Sequence, residues 1–366
     1  MMKILYVATV GGFMPFFKDL VRQLIDDGHV VDFAANQSSS KVPDYYSKWG
    51  CKIFDISCSR SPLSFDNIKA IKQIRNLAKE YDIVHCHTPL AGMSTRIACR
   101  KLRKKQGLKV IYTAHGFHFY KGAPKKNWII YYPIEKLCSR WTDVLITINK
   151  EDYDLAKKKM KAKRIEYVPG VGMDTKKFAN TVVDRDKKRE DLGIPKDAYL
   201  IFSVGELNQN KNHQIVIRAI AELNDSNIHY MIAGVGDQKE NLEKLAKELK
   251  VNLHLLGYRK DVAELYKAAD LFVHPSFREG LPVSVMEAVA AKTTVVCSNI
   301  RGCSDLVREG LFDPHITSSV AEVIKQCIGG FNNSDDNYRR LKQFELSLVA
   351  NKMLDIYKNI CGDKNG

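Results

Sequence analysis

Residues 271–288 read LFVHPSFREGLPVSVMEA. Leu271–His274 is a short apolar run that suits a buried strand, and the residues after it supply turn chemistry. Pro282 then fits a first helical turn, where a missing N–H costs nothing, and apolar residues recur beyond it at helical spacing. Strand, turn and helix in immediate succession are the building unit of a parallel sheet. The unit places Glu279 at the helix entrance and Glu287 about a turn and a half inside. Free backbone N–H groups and the positive dipole end there suit a phosphate or sugar oxygen. The spacing alone also fits a plainer arrangement, an acidic helix-start stabiliser followed by a surface glutamate.

The same alternation extends in both directions. Strands are expected at Tyr199–Val204, His229–Ala233, Leu253–Leu256 and Thr294–Cys297, each followed by a helical pattern. The first half repeats it, with strands at Ile4–Ala8, Val30–Ala34, Lys52–Ile56, Ile83–Cys86, Val110–Thr113 and Val144–Ile148 and amphipathic stretches between them. Between the halves, Val168-Pro169-Gly170-Val171-Gly172 reads as a hinge, followed by a charged linker at Asp184–Asp191. The expected fold class is α/β: two Rossmann-like, doubly wound parallel-sheet domains at 1–169 and 170–337. An amphipathic helix over 338–362 is expected to pack back on the first. Ligands bind outside the carboxyl ends of parallel strands, so two such domains are expected to face an inter-domain cleft.

Composition narrows the function classes. A chain of 366 residues with 45% apolar and 27% charged residues is globular and long enough for two cores. Its nine cysteines are scattered without C-x-x-C or zinc spacing, as expected of reduced thiols. No apolar run reaches the roughly 18 to 20 residues of a spanning helix, and the N-terminus reads as a strand, not a signal peptide. A cytoplasmic protein is expected. The formal charge is +15, with basic clusters at Arg100–Lys105, Lys125-Lys126 and Lys157–Arg164. That asymmetry suits an anionic partner such as an acidic bilayer surface, or else marks solvated helix faces. Nucleic acid is not expected, because no recognition motif accompanies the charge. The Asp-x-Asp spellings at Asp152–Asp154 and Asp184–Asp186 fall in a helix and a linker, so no metal site is expected.

Glu279, Gly280, Pro282 and Glu287 match the signature E-G-x-P-x(4)-E, and with it the chain resembles the large retaining GT-B glycosyltransferase family with paired glutamates. The strand-end motifs Ile83–Pro89 and Thr113–Gly122, with Val204–His213, resemble its bacterial capsule and exopolysaccharide branch. The resemblance implies a hexosyltransferase (EC 2.4.1.-) that retains anomeric configuration, needs no metal or other cofactor, and takes a nucleotide-sugar, UDP-linked by preference. It implies a lipid-diphosphate-linked saccharide as acceptor, met at the inner face of the cytoplasmic membrane.

Roles follow residue by residue. Gly11 and Gly12 resemble the turn whose backbone approaches the donor diphosphate. Gly205 and Lys211 resemble the diphosphate motif, with Lys211 as cation for the leaving group. Glu287 resembles the carboxylate that receives the ribose hydroxyls. Arg278, Glu279, Gly280 and Leu281 resemble the donor-sugar loop. His115 resembles the histidine beside the transferred sugar and joins Glu279 and Lys211 as a catalytic candidate. His87, Phe117, His118, Tyr120 and Lys121 are the acceptor candidates. One departure stands out: where relatives place an arginine after the phosphate-motif glycine, Glu206 follows Gly205. Its charge must come from Lys211, Arg278, Arg301 or helix N-termini. Competing readings are a hinged, non-catalytic ligand-binding protein and a transferase with a soluble small-molecule acceptor.

Overall fold

A computed structural model describes residues 1–61 and 64–362. The chain divides into two compact units, residues 1–172 with 346–366, and residues 173–345.

The first unit is built on a seven-stranded parallel sheet in the order β3-β2-β1-β4-β5-β6-β7. Its strands are β1 (Lys3–Val10), β2 (Val30–Asn36), β3 (Ile53–Asp55), β4 (Ile83–His87), β5 (Lys109–Ala114), β6 (Val144–Thr147) and β7 (Arg164–Tyr167). Central strands such as β1 are buried on both faces, which is why Ile4–Ala8 reads as a continuous apolar run. The edge strand β7 is only half-buried along its length, and its charged sequence carries no apolar run to announce it.

The second unit carries a six-stranded parallel sheet in the order β10-β9-β8-β11-β12-β13. The strands are β8 (Tyr199–Val204), β9 (Ile228–Ala233), β10 (Asn252–Leu255), β11 (Leu271–His274), β12 (Thr294–Ser298) and β13 (Leu311–Phe312). In both sheets the strand order reverses once, between β1 and β4 and between β8 and β11. Such a switch point leaves a crevice at the carboxyl ends of the two strands.

Two expectations change on contact with the structure. The charged stretch after the hinge is not a linker: Arg185–Asp191 is a helix, and the Asp184 carboxylate caps it by accepting from the Lys187 N–H. The C-terminal segment is not one helix over 338–362. Ser334–Leu341 and the turn Lys342–Phe344 belong to the second unit, where Phe344 is buried and its carbonyl accepts from the Met173 N–H at 2.9 Å. A separate helix, Leu346–Gly362, joins the core of the first unit through Val349, Met353, Leu354, Ile356, Tyr357 and Ile360. Glu345, in extended conformation between them, is where the helical path breaks.

Candidate functional site

In the second unit, chemistry collects at the switch point. β8 leads to Gly205 and the short turn Gln209–Lys211, so Lys211 closes that turn ahead of the helix His213–Leu223. A Cβ on Gly205 would stand 3.2 Å from Lys211 Cε, so the glycine leaves room for the lysine stem. β11 ends at His274, and the helix Val283–Ala290 starts behind Pro282. Between them the Glu279 carboxylate accepts from Lys211 Nζ at 2.7 Å and lies 3.1 Å from His274 Nε2. The loop is pinned to the Lys211 turn by backbone and amide contacts. Phe277 N–H donates to the Asn210 carbonyl at 2.9 Å, and Asn210 Nδ2 to the Arg278 carbonyl at 3.0 Å. Buried Arg301 donates from Nε to the Glu279 carbonyl at 3.1 Å.

The electrostatics divide the labour. Burial alone would push the Glu279 carboxyl up, but the His274 hydrogen bond and the Lys211 ammonium outweigh it and hold the carboxyl well below its usual range. Burial pushes His274 down, more than Glu279 pulls it up. A neutral His274 acts as a hydrogen-bond donor, and the positive charge facing Glu279 is that of Lys211. Glu287 is the opposite case. Burial pushes its carboxyl up, against the smaller effects of the Tyr266 hydroxyl, which donates to it at 3.0 Å, and of Lys177.

In the first unit, His87 ends β4 and His115 follows β5. Their rings meet at His87 Nδ1 to His115 Nε2, 3.2 Å, with Phe17 4.3 Å from the His87 ring and Phe13 4.7 Å from the His115 ring between centroids. Thr88, next to the switch point, takes φ 63°, an uncommon conformation for a β-branched residue, and its hydroxyl is 2.7 Å from that of Thr9. Beneath the histidine pair runs a buried chain. Tyr6 and Tyr357 hydroxyls are 2.6 Å apart, Tyr357 is 2.6 Å from His85 Nδ1, and His85 Nε2 is 2.8 Å from Thr113 Oγ1.

Not every expected residue lies in these clusters. The space beside Gly11 and Gly12 is filled by Ser40–Val42, and Gly11 N–H donates to the Ser40 carbonyl, so both glycines have a packing reason of their own. Phe117 is a core residue stacked on Phe119, its N–H held by the Asp152 carboxylate at 3.0 Å. Asp152 of the first Asp-x-Asp thus serves a loop. His118 packs on Tyr131, Tyr120 is partly exposed, and Lys121 is exposed with its N–H on Glu151. Arg278 is exposed, and Gly280 and Leu281 are partly so, in the loop leading to Pro282. Glu206 is exposed and accepts from Asn208. Sequence reasoning missed His274, Tyr266 and the Tyr6–Tyr357–His85 chain. Only His274, a polar residue closing an apolar strand just before the motif, carried a local signal. Among the described residues, no group of three or more His, Cys, Asp or Glu is arranged to hold a metal ion.

Burial pushes His85 and His213 down to about 3, His115 down to about 4, and His87 well below the ordinary 6.5. The unfolded chain binds protons that these folded groups refuse. Their stabilising effect is therefore complete above pH 6.5 and is lost as pH falls towards the folded values. Thermal melting is expected to weaken already between about pH 6.5 and pH 5, above the range where ordinary carboxylates titrate. A melting temperature flat across that window would count against buried, neutral histidines.

Two doubly wound sheets in one chain, one with a cation–carboxylate pair at its switch point, are the architecture of the GT-B glycosyltransferase class. Residues 10–175 match the family described as Glycosyltransferase Family 4, and residues 184–341 match Glycosyl transferases group 1. The chain belongs to the glycosyl transferases group 1 family. It is 38% identical over 321 residues to the Bacillus subtilis protein named glycosyltransferase EpsD, covering 84% of this chain and 81% of that one. It is 31% identical over 260 residues to the Escherichia coli UDP-Gal:alpha-D-GlcNAc-diphosphoundecaprenol alpha-1,3-galactosyltransferase, covering 66% of each. In fold it is similar to Anabaena HepE in complex with UDP and glucose, with a TM-score of 0.80 at 17% identity over 98% of this chain and 100% of that one. Sucrose-phosphate synthase from Thermosynechococcus elongatus gives a TM-score of 0.81 at 18% identity over 100% of both.

Proposed function

We propose that the protein transfers a hexose or N-acetylhexosamine, with retention, from a UDP-sugar to a lipid-diphosphate-linked saccharide during assembly of a capsule or exopolysaccharide. The observation that carries the proposal is Lys211 held at 2.7 Å from Glu279 on the switch-point loops, a fixed cation suited to the negative charge a leaving diphosphate gains. The named activity of the Escherichia coli relative supports the UDP-sugar and the lipid-diphosphate acceptor.

In this reading Glu279 both presets Lys211 and, with Gly280 and Leu281, meets the donor sugar. Glu287 receives the ribose hydroxyls, and His115 lies beside the transferred sugar with His87 behind it. The acceptor hydroxyl attacks the anomeric carbon on the face the diphosphate leaves. The glycosidic C–O bond forms as the C–O bond to phosphate breaks, and the acceptor proton passes to the departing phosphate oxygen. Lys211 and the helix N-terminus behind Pro282 take the place of a metal ion. Among the described residues, no helix is long and apolar enough to cross a membrane. The proposed site of work is the surface of an anionic membrane, reached peripherally.

The test is transfer from UDP-hexoses and UDP-N-acetylhexosamines to a synthetic lipid-diphosphate N-acetylglucosamine, with the product linkage read by NMR. An α-linked product, formed equally with and without EDTA, is expected. A β-linkage would remove the retaining mechanism, and loss of transfer on chelation with recovery on adding magnesium would remove the metal-free account.

A further inference from the structure

The helix Lys125–Ser139 of the first unit turns an apolar stripe outward. Ile129, Ile130, Ile134 and Leu137 are exposed by 72%, 53%, 39% and 49%, and Pro133 is exposed among them. At 100° per residue, 130, 133, 134 and 137 fall on one face. The opposite face cannot roll outward to hide them. It carries Glu135, buried and bonded to Arg96 through two contacts of 2.8 Å, with the Arg96 guanidinium 4.0 Å above the Tyr112 ring.

The charges around the stripe are of one sign. Lys125 and Lys126 stand exposed at the start of the helix and Arg140 just past its end. Alongside Arg140 lies a shallow basin of about 560 Å³ lined by Arg100, Lys101, Lys104 and Lys105, with the Arg100 guanidinium 5.6 Å from the Trp141 ring. Glu135, the one acid on the helix, points inward. A second copy of this face would bring cation against cation, whereas an acidic bilayer satisfies both halves of the pattern. Arg103 is the exception in the basic cluster: it is spent on Asp143, in contacts of 2.7 and 2.5 Å.

We infer that the Lys125–Ser139 helix is the membrane-docking element: its isoleucines and leucine enter the acyl boundary of an anionic bilayer while Arg100, Lys101, Lys104, Lys105 and Arg140 meet the headgroups. The inference rests on the proposed peripheral association and adds the element that inserts. It also links docking to the loop holding His118 and Tyr120. Asn127 Nδ2 donates to the His118 carbonyl at 2.9 Å and Trp128 Nε1 to the Tyr120 carbonyl at 3.2 Å, so the docked helix carries that loop to the membrane surface.

The experiment is co-sedimentation of the full chain, without donor or acceptor, with phosphatidylglycerol–phosphatidylethanolamine vesicles and with phosphatidylcholine vesicles. Wild type should bind the anionic vesicles, more weakly as salt rises, with a residue of binding at about 1 M salt, where screening leaves only apolar contact. Changing Ile130, Ile134 and Leu137 together to serine should lower partitioning about a hundredfold with only a modest drop in melting temperature, since all three are half-exposed. Ile130→Cys carrying an environment-sensitive dye should shift to the blue on vesicle binding, which reads insertion on a near-native surface. Equal partitioning of wild type and the serine variant would overturn the helix assignment while leaving peripheral association standing. Wild type that binds neither vesicle would remove both. A concentration-dependent dimer abolished by the serine variant, with no dye shift on vesicles, would assign the face to a second copy.

Discussion

Replacing Lys211 with alanine is expected to lower kcat/KM by about two to three orders of magnitude, the usual loss when a preorganised partner of developing negative charge is removed. The variant is not expected to be neutral for folding. Beside the His274 hydrogen bond, Lys211 is the positive charge that helps hold the largely buried Glu279 carboxylate ionised, and without it only His274 opposes the desolvation of that carboxylate. A carboxyl held below its ordinary value contributes stability that is present above pH 4.5 and is lost as pH falls through the folded value. Lys211→Ala should therefore melt earlier than wild type at neutral pH, with the gap narrowing on acidification. The double variant Lys211→Ala/Glu279→Gln separates the two roles. It removes the stranded charge and should recover most of the lost stability while recovering none of the transfer. If the single variant stays within threefold of wild type, or if the double variant regains activity, Lys211 is a structural counter-ion and the donor site lies elsewhere.

The meeting of Lys211 and Glu279 shows what a sequence can and cannot disclose here. The Gly205–Lys211 and Glu279–Glu287 segments are each local, so turn residues, proline position and apolar spacing were enough to place them after strands. Their meeting is not local: it depends on β8 and β11 lying side by side, which the doubly wound pattern implies but no spacing states. His274 shows the gap. It ends an apolar strand and reads as the strand's last residue until the fold brings the Glu279 carboxylate back to its Nε2. Tyr357 is a stronger case, because its hydroxyl reaches Tyr6 and His85 across almost the whole length of the chain, and helical periodicity can say only that it is buried. Where the signal was charge, it misled in two directions. Asp184–Asp191 looked like a linker because its short helix is held by ion pairs of Arg185, Lys188 and Arg189 with Asp270 and Asp261, not by an apolar stripe of its own. Arg103 looked like one more surface cation, although Asp143 holds it. β7 and β13 escaped for a related reason, one being half-exposed and charged and the other only two residues long.

Glu287 gives the second large effect, and its sign pattern is the reverse of that at Lys211. Burial raises its carboxyl, so ionising it in the folded chain without donor costs desolvation, offset in part by the Tyr266 hydroxyl. A raised carboxyl costs stability above its ordinary titration range, and the cost disappears as pH falls and both folded and unfolded chains take up the proton. Glu287→Gln keeps the shape and an oxygen to accept from Tyr266 but removes the charge. It should therefore melt later than wild type at neutral pH, with the difference vanishing in acid. In the proposed site the same charge is what the ribose hydroxyls donate to, and a hydrogen bond to a charged acceptor is worth about 1.5–3 kcal/mol. Nucleotide affinity and kcat/KM should accordingly fall about ten- to a hundredfold in Glu287→Gln. They should fall further in Glu287→Ala, which also leaves the buried Tyr266 hydroxyl short of its carboxylate partner. A stabilised variant that binds UDP worse would mark Glu287 as a charge kept for its ligand at the expense of the fold. If Glu287→Gln instead melts earlier at neutral pH and binds UDP as wild type does, the carboxylate belongs to the packing of the Val283–Ala290 helix and not to the donor.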